Sequence, residues 1–216
     1  MPTTNPELDR YIRNLSSNED PLLAELEAES NMRVVQPQMV SGHVQGLFLQ
    51  MLTRMISPRK VLEIGTFTGY ATLCFAAGLP DDGVVDTVEI EEELEGIQSE
   101  FFARSPYGHK IRRHTGSALE IVPTLGECYD LVFLDGDKRE YSDYYKMLMD
   151  NGLVRSGSYI LADNILWYGK VTAENIKSSD LQTRGIVEFN RMVHDDPRVE
   201  NVIIPLRDGI NLIRVL

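Results

Sequence analysis

Residues 60–78 read KVLEIGTFTGYATLCFAAG, and their pattern decides the fold. The run 60–64 is short, apolar and bounded by glycine, which predicts a buried strand. Gly65 and Gly69 make the turn, and 69–78 predicts a helix. Strand, glycine turn and helix are the opening half of a βαβ unit. The glycines let the backbone bend sharply and let a ligand approach the helix N-terminus. Their spacing is G-x-x-x-G, without the third glycine of a dinucleotide-binding G-x-G-x-x-G. A phosphate-cradling loop would not hold a carboxylate beside it. Glu63 instead points to a cationic ligand near this turn, such as a sulfonium or an amine.

Toward the C-terminus the alternation repeats. Strands are predicted at 84–90, 111–115, 130–135 and 159–162, with helices at 91–103, 118–125 and 141–148 between them. Such alternation implies right-handed βαβ units and a parallel sheet covered on both faces. The ending differs. After a helix at 185–194, strands at 199–206 and 209–216 are joined only by Arg207, Asp208 and Gly209, so a hairpin with an antiparallel strand closes the sheet. The expectation is an α/β fold, a doubly wound and mostly parallel sheet of seven strands.

Toward the N-terminus, Leu8, Tyr11, Ile12 and Leu15, then Leu22, Leu23 and Leu26, fall at helical spacing on either side of a break at 16–21. A loop follows at 33–42. A stronger amphipathic helix then carries Val44, Leu47, Phe48, Met51, Leu52 and Met55 on one face and stops at Pro58. The expected organisation is one domain, 1–216, with N-terminal helices over 1–57 and an α/β core over 58–216.

The composition is that of an ordinary soluble globular protein, 43% hydrophobic and 25% charged. No apolar stretch reaches the roughly 20 residues of a membrane helix. The first residues lack the basic and apolar regions of a signal peptide. Cys74 and Cys128 are too few for a disulfide framework or a zinc site, so a reduced, cytoplasmic protein is expected. A net charge of −12 opposes nucleic-acid binding, which draws on Lys and Arg to neutralise phosphates. The one basic cluster, Lys110 with Arg112, Arg113 and His114, reads as a solvated edge.

Chemistry concentrates at two strand ends. YDLVFLDGDK (129–138) and SYILADN (158–164) each finish an apolar run in oxygen-bearing side chains. As parallel neighbours they would bring Asp135, Asp163 and Asn164 to the carboxyl edge of the sheet, where open α/β sheets bind ligands. Hard oxygen donors of this kind suit Mg²⁺ or Ca²⁺. Lys138 stands close enough to act on what such an ion would hold. Asp137 has three readings: supporting the metal shell through water, contacting substrate, or capping the next helix. Glu89 ends the second strand, placed to accept hydrogen bonds from two ribose hydroxyls. Trp167 and Tyr168 follow in a loop, where an aromatic could wall a flat acceptor ring or pack into the core. His43 reads as a helix-end polar residue, and the two cysteines as small apolar fillers.

Together these residues carry a resemblance. The chain resembles the class I S-adenosylmethionine-dependent methyltransferases, and within them the cation-dependent O-methyltransferases of the caffeoyl-CoA and catechol type. The match lies in EIGTFTGY (63–70), Glu89, GSAL (116–119), DGDK (135–138) with Tyr141, DNILWYG (163–169) and Asp208 with Gly209, from about Met39 to the C-terminus. Gly136 departs from the alanine usual between the two aspartates.

The resemblance implies that Met39, Val40 and Ser41 contact the methionine part of S-adenosylmethionine. Glu63, Gly65, Thr66 and Gly69 would lie around that portion, Glu89 would hold the ribose, Ser117 and Ala118 would border the adenine, and Asp135 would stand between cofactor and metal. It implies a divalent cation on Asp135, Asp163 and Asn164, and Lys138 as the base acting with Asp135. Asp137, Lys138 and Trp167 would face a small aromatic acceptor with vicinal hydroxyls. Family members are commonly homodimers, for which the N-terminal helices could provide the interface. The nearest alternative is methylation of a hydroxylated uridine in tRNA, as in related bacterial proteins. A nucleotide-binding dehydrogenase is opposed by Glu63 and the missing glycine, and a non-catalytic binding protein by Lys138 and the complete ligand set.

Overall fold

Asn5 and Asp20 each accept backbone N–H groups at the start of a helix whose first residue is proline, which needs no N–H there. They open α1 (Pro6–Leu15) and α2 (Pro21–Arg33), and α3 (Gly42–Ile56) follows. The computed structural model describes residues 5–216; residues 1–4, where the missing signal-peptide regions were read, lie outside the described residues. The strands are β1 (Lys60–Ile64), β2 (Val84–Glu89), β3 (Ile111–Thr115), β4 (Leu131–Leu134), β5 (Tyr159–Asp163), β6 (Val199–Ile204) and β7 (Ile210–Val215). Between them lie α4 (Tyr70–Gly78), α5 (Glu95–Arg104), α6 (Ala118–Ile121), α7 (Tyr141–Asp150) and α8 (Leu181–Asp195).

The sheet runs β3-β2-β1-β4-β5-β7-β6, parallel except that β7 is antiparallel to both β5 and β6. The predicted seven-stranded fold with its terminal hairpin is what the chain adopts. The winding reverses between β1 and β4, which opens a crevice at their carboxyl ends. Strand side chains alternate between two cores. Leu62, Ile64, Val132, Leu134, Ile160 and Ala162 pack under α6, α7 and α8, while Val61, Leu131, Phe133 and Leu161 pack under α2, α3, α4 and α5.

Three differences from the expected elements have physical causes. The loop at 33–42 contains a 3₁₀ turn, Pro37–Met39, entered from Gln36 in the left-handed region. Helix α8 begins at Leu181 rather than at Gly185, because Asp180 caps it. Gly185 is then interior to the helix, where a Cβ would lie 2.5 Å from the carbonyl oxygen of Lys138. Helix α1 keeps its amphipathic period but buries no residue, leaving Leu8, Tyr11 and Leu15 exposed. The basic cluster on β3 is internally engaged rather than simply solvated. Lys110 is buried on the carbonyl of Leu79, Arg112 and Arg113 pair with Glu127 and Glu95, and His114 meets Asp86.

Candidate active site

Parallel register sets the first part of the site. Leu134 pairs with Ala162 on β4 and β5, so Asp135 and Asp163 stand side by side one residue later. Asp163 is buried; its Oδ1 accepts from the Asn164 N–H at 2.7 Å and its Oδ2 from Gln45 Nε2 at 2.6 Å. Asn164 holds a left-handed conformation at φ 59°, a strained state that an asparagine tolerates better than most residues. Its side chain makes no hydrogen bond among the described residues, so its amide oxygen is available. Burial pushes the Asp135 carboxyl up and Asp163 adds to the rise, while Lys138 opposes it.

Lys138 is itself buried and donates to Asp135 Oδ1 at 2.8 Å and to the Tyr141 hydroxyl at 2.7 Å. That hydroxyl lies 2.8 Å from the carbonyl of Leu134 and 3.1 Å from that of Asp163. One buried phenol therefore links both strand ends to the lysine, leaving the third position on its nitrogen free among the described residues. Gly185 presses on the backbone of the same lysine from α8. Asp137 caps the turn that follows it, one of its three readings. It accepts from the Arg139 N–H at 2.9 Å and pairs with the Arg139 guanidinium, which holds its carboxyl below the usual carboxylate range.

The second part lies around the β1 turn. Gly65 has φ 99°, and a Cβ there would lie 2.5 Å from the carbonyl oxygen of Asp135, so only glycine lets the two strand ends close up. Gly69, at φ 93°, leaves room for the Phe102 ring beneath the start of α4. Thus both glycines answer to the protein's own packing. Met39, Val40, Ser41, Gly65, Thr66 and Asp135 line one narrow cleft at this turn, with Thr68 and Tyr70. A larger open groove of 670 Å³ lies at the opposite, amino edge of the sheet, between Arg59, Asp130, Tyr159 and the end of α3, away from these groups.

Glu63 sits under the cleft rather than in it. Its Oε2 accepts from the Thr72 hydroxyl and, at 2.5 Å, from the Thr87 hydroxyl, and its Oε1 has no partner among the described residues. Burial pushes this carboxyl up to about 8, and the two threonine hydrogen bonds only partly oppose that. Thr66 joins the same network through Thr87 at 2.5 Å. Glu89 ends β2 with three backbone N–H groups on its carboxylate, from Phe67 at 2.6 Å, Ile90 at 2.9 Å and Glu91 at 3.0 Å. Burial raises its pKa, and these three donors work against the rise. Register puts Glu89 opposite Thr115, and the N–H of Gly116 donates to the carbonyl of Glu89 at 2.7 Å, which brings Ser117 and Ala118 beside it.

The aromatic loop divides. Trp167 packs against the α7–α8 core with a buried Nε1 that has no partner among the described residues, whereas Tyr168 is 59% exposed, with ring centroids 5.7 Å apart. Both hold positive φ. The loop is strapped to the β6–β7 turn: Tyr168 N–H donates to Asp208 Oδ1 at 2.8 Å and Leu166 N–H to the Asp208 carbonyl at 2.9 Å. Arg207, Gln45 and Gly185 carried no signal in the sequence, because each owes its place to a partner on a distant element. Tyr141 belongs to its motif by sequence, but nothing local signals its hydrogen bonds to both strand ends. His43 Nε2 lies 2.7 Å from the carbonyl of Ser17, in keeping with a helix-end polar residue.

The donor set fits a hard cation. Asp163, buried, and Asp135, half-buried, supply carboxylate oxygens beside the free amide of Asn164, the hard donors such an ion takes. Among the described residues no three His, Cys, Asp or Glu side chains converge, so any ion here depends on the asparagine for its third ligand.

Comparison with known proteins identifies the family. The sequence profile of the O-methyltransferase family matches residues 13–216. Caffeoyl-CoA O-methyltransferase 5 of Nicotiana tabacum is 34% identical over 186 residues, 82% of this chain and 77% of the relative. Among solved structures, the O-methyltransferase TomG of Streptomyces achromogenes, determined with S-adenosylmethionine, superposes with a TM-score of 0.88 at 29% identity, over 97% of this chain and 96% of that one. The S-adenosylhomocysteine-bound methyltransferase PaMTH1 of Podospora anserina gives 0.89 at 25% identity, over 100% and 98%. The chain belongs to the O-methyltransferase family.

Proposed function

We propose that this enzyme transfers the methyl group of S-adenosylmethionine to a hydroxyl of a small aromatic acceptor with vicinal hydroxyls, with the help of a divalent cation. The observation that carries the reading is the meeting of Asp135, Asp163 and Lys138 at two adjacent strand ends, directly against the Gly65 turn.

The cofactor lies along the cleft at that turn. Met39, Val40 and Ser41 flank its methionine end, with Gly65, Thr66 and Gly69 forming the floor and Glu63 beneath it. Glu89 accepts from the ribose hydroxyls with the lone pairs its backbone partners leave free, and Ser117 and Ala118 border the adenine. Asp135, Asp163 and Asn164 hold the cation, Mg²⁺ or Ca²⁺ by donor type. That ion supplies Lewis-acid charge, which favours ionisation of an acceptor hydroxyl placed beside it.

Lys138, as the neutral amine with its two N–H groups on Asp135 and Tyr141, takes the hydroxyl proton on its lone pair as general base. The phenolate oxygen then forms its bond to the methyl carbon as the carbon–sulfur bond breaks, releasing neutral S-adenosylhomocysteine. The base's proton, the new ether and the thioether account for every atom and charge. Holding the two reactants in line supplies much of the acceleration. Asp137 and Trp167 border the acceptor side, with Tyr168 offering the exposed ring face. The caffeoyl-CoA in the Nicotiana tabacum relative's name, whose ring carries two adjacent hydroxyls, supports this substrate class. The enzyme acts in the cytoplasm, as a homodimer, in this reading.

The test is methyl transfer to a panel of catechols and to hydroxylated tRNA, with Mg²⁺ and with chelator. Cation-dependent turnover of a catechol is expected. Turnover unchanged by chelator would remove the cation, and turnover of tRNA alone would replace the acceptor.

A further inference from the structure

Gln45 lies on the inner face of α3 and is 1% exposed. Its amide is held at both ends by groups that allow one orientation only. Nε2 donates to Asp163 Oδ2 at 2.6 Å, and a carboxylate can only accept. Oε1 accepts from Arg207 Nη1 at 3.1 Å, and a guanidinium can only donate. Turning the amide over would set oxygen against oxygen and nitrogen against nitrogen. The same Nη1 also donates to the carbonyl of Val40, at 3.0 Å, and to that of Ser41.

Arg207 occupies the β6–β7 turn at φ 51°, a left-handed state that costs an arginine on the order of 1 kcal/mol or more. A line of hydrogen bonds therefore runs from segment 39–41 through Arg207 and Gln45 to the carboxylate of Asp163. Three elements remote in sequence meet in it.

We propose that Gln45 and Arg207 are positioning residues of this active site. Gln45 fixes the rotation of the Asp163 carboxylate, whose other oxygen is already held by the Asn164 N–H. Arg207 fixes Gln45 and, with the same nitrogen, anchors the carbonyls of the cofactor segment. Partners that orient a ligating carboxylate raise metal affinity, and their loss commonly costs ten- to hundred-fold. The inference rests on the cation reading of Asp163, and it gives the two residues different signatures. Loss of the Gln45 amide strikes cation affinity alone, while loss of the Arg207 guanidinium strikes cation and cofactor together.

The experiment titrates Mn²⁺ into wild-type protein, Gln45→Met and Arg207→Met without acceptor, reading free Mn²⁺ by electron paramagnetic resonance. S-adenosylhomocysteine affinity is measured by calorimetry in the absence of cation. Thermal melts establish that each variant is folded, and Gln45→Asn, too short to span to Asp163, replaces a Gln45→Met that does not fold. The expected result for Gln45→Met is Mn²⁺ binding weakened about ten- to hundred-fold, with S-adenosylhomocysteine affinity within twofold of wild type. Arg207→Met is expected to weaken both. Wild-type uptake of Mn²⁺ with equal uptake by folded Gln45→Met overturns the positioning role and leaves the cation reading standing. A parallel loss of both ligands in Gln45→Met overturns it too, by reducing Gln45 to general packing. Wild-type protein that takes up no Mn²⁺ overturns the cation reading and this inference with it.

Discussion

Glu63 makes the stability of the cofactor-free protein depend on pH in a way that can be worked out from its surroundings. The carboxyl is fully buried with one oxygen unpartnered, and its pKa rises from 4.5 to about 8 on folding. The folded protein therefore retains a proton that the unfolded chain releases. Stability from this group is complete below pH 4.5, falls as pH rises through the window to about 8, and has been lost above it. Each pH unit inside the window costs about 1.4 kcal/mol, and the whole shift approaches about 5 kcal/mol. Glu63→Gln is neutral at every pH and removes the dependence. Urea unfolding of the cofactor-free wild type and variant at half-unit steps from pH 5 to 9 isolates Glu63 together with its coupling to Asp135 and Glu89, since titrations that do not interact with it cancel in the difference. The variant's stability relative to wild type should climb with pH and level off near pH 8. For a chain of this length, 1.4 kcal/mol corresponds to about 3 to 6 °C in melting temperature. A difference that stays flat from pH 5 to 9, or that runs the other way, would refute the buried-neutral carboxyl.

Four further outcomes are expected. Asp163→Ala should abolish cation-dependent methyl transfer while S-adenosylhomocysteine still binds, as calorimetry would register; turnover retained at the wild-type rate removes Asp163 from the site. Lys138→Ala should lower kcat by about 10²- to 10⁴-fold with a much smaller change in KM, the range for loss of a general base, and unchanged steady-state rates would exclude that role. Glu89→Gln should weaken cofactor binding about ten- to hundred-fold, because hydrogen bonds to a charged acceptor are worth about 1.5 to 3 kcal/mol each; an unaltered dissociation constant contradicts the ribose contact. Gly65→Ala should destabilise the fold by at least about 1 kcal/mol and depress activity further, since the new methyl would push on the Asp135 carbonyl. Chemical denaturation and a rate assay on the folded fraction separate the two effects, and a variant indistinguishable from wild type in both would show that the strand ends are not closely apposed.

Much of the fold was legible because it rests on local signals. Apolar runs of strand length ended at glycine or at acids, helical spacing filled the intervals, and three residues were too few for anything but a hairpin between the last two strands. The acid-bearing strand ends were found the same way. Roles that depend on surroundings were read less well. Glu63 looked like a ligand-facing carboxylate from its place beside the glycine turn, yet side-chain alternation turns it inward onto Thr72 and Thr87. Gly185 looked like a helix start, because a glycine needed for contact with Lys138 has the same local signature as one that ends a periodic run. Trp167 and Tyr168 could not be told apart in advance; three-dimensional packing sent the indole to the core and left the phenol exposed.

The sequence by itself determined which elements form and which chemical groups stand at their ends, since hydrophobic period, capping and turn chemistry act over a few residues. Tertiary structure alone decided what those groups meet. The reversal of winding between β1 and β4 presses the Gly65 turn onto Asp135. The antiparallel entry of β7 beside β5 carries Arg207 to Gln45, 162 residues away in the chain, and Gln45 reaches Asp163 across 118. Those contacts follow from strand order and the packing of α3 on the sheet, which no local pattern encodes.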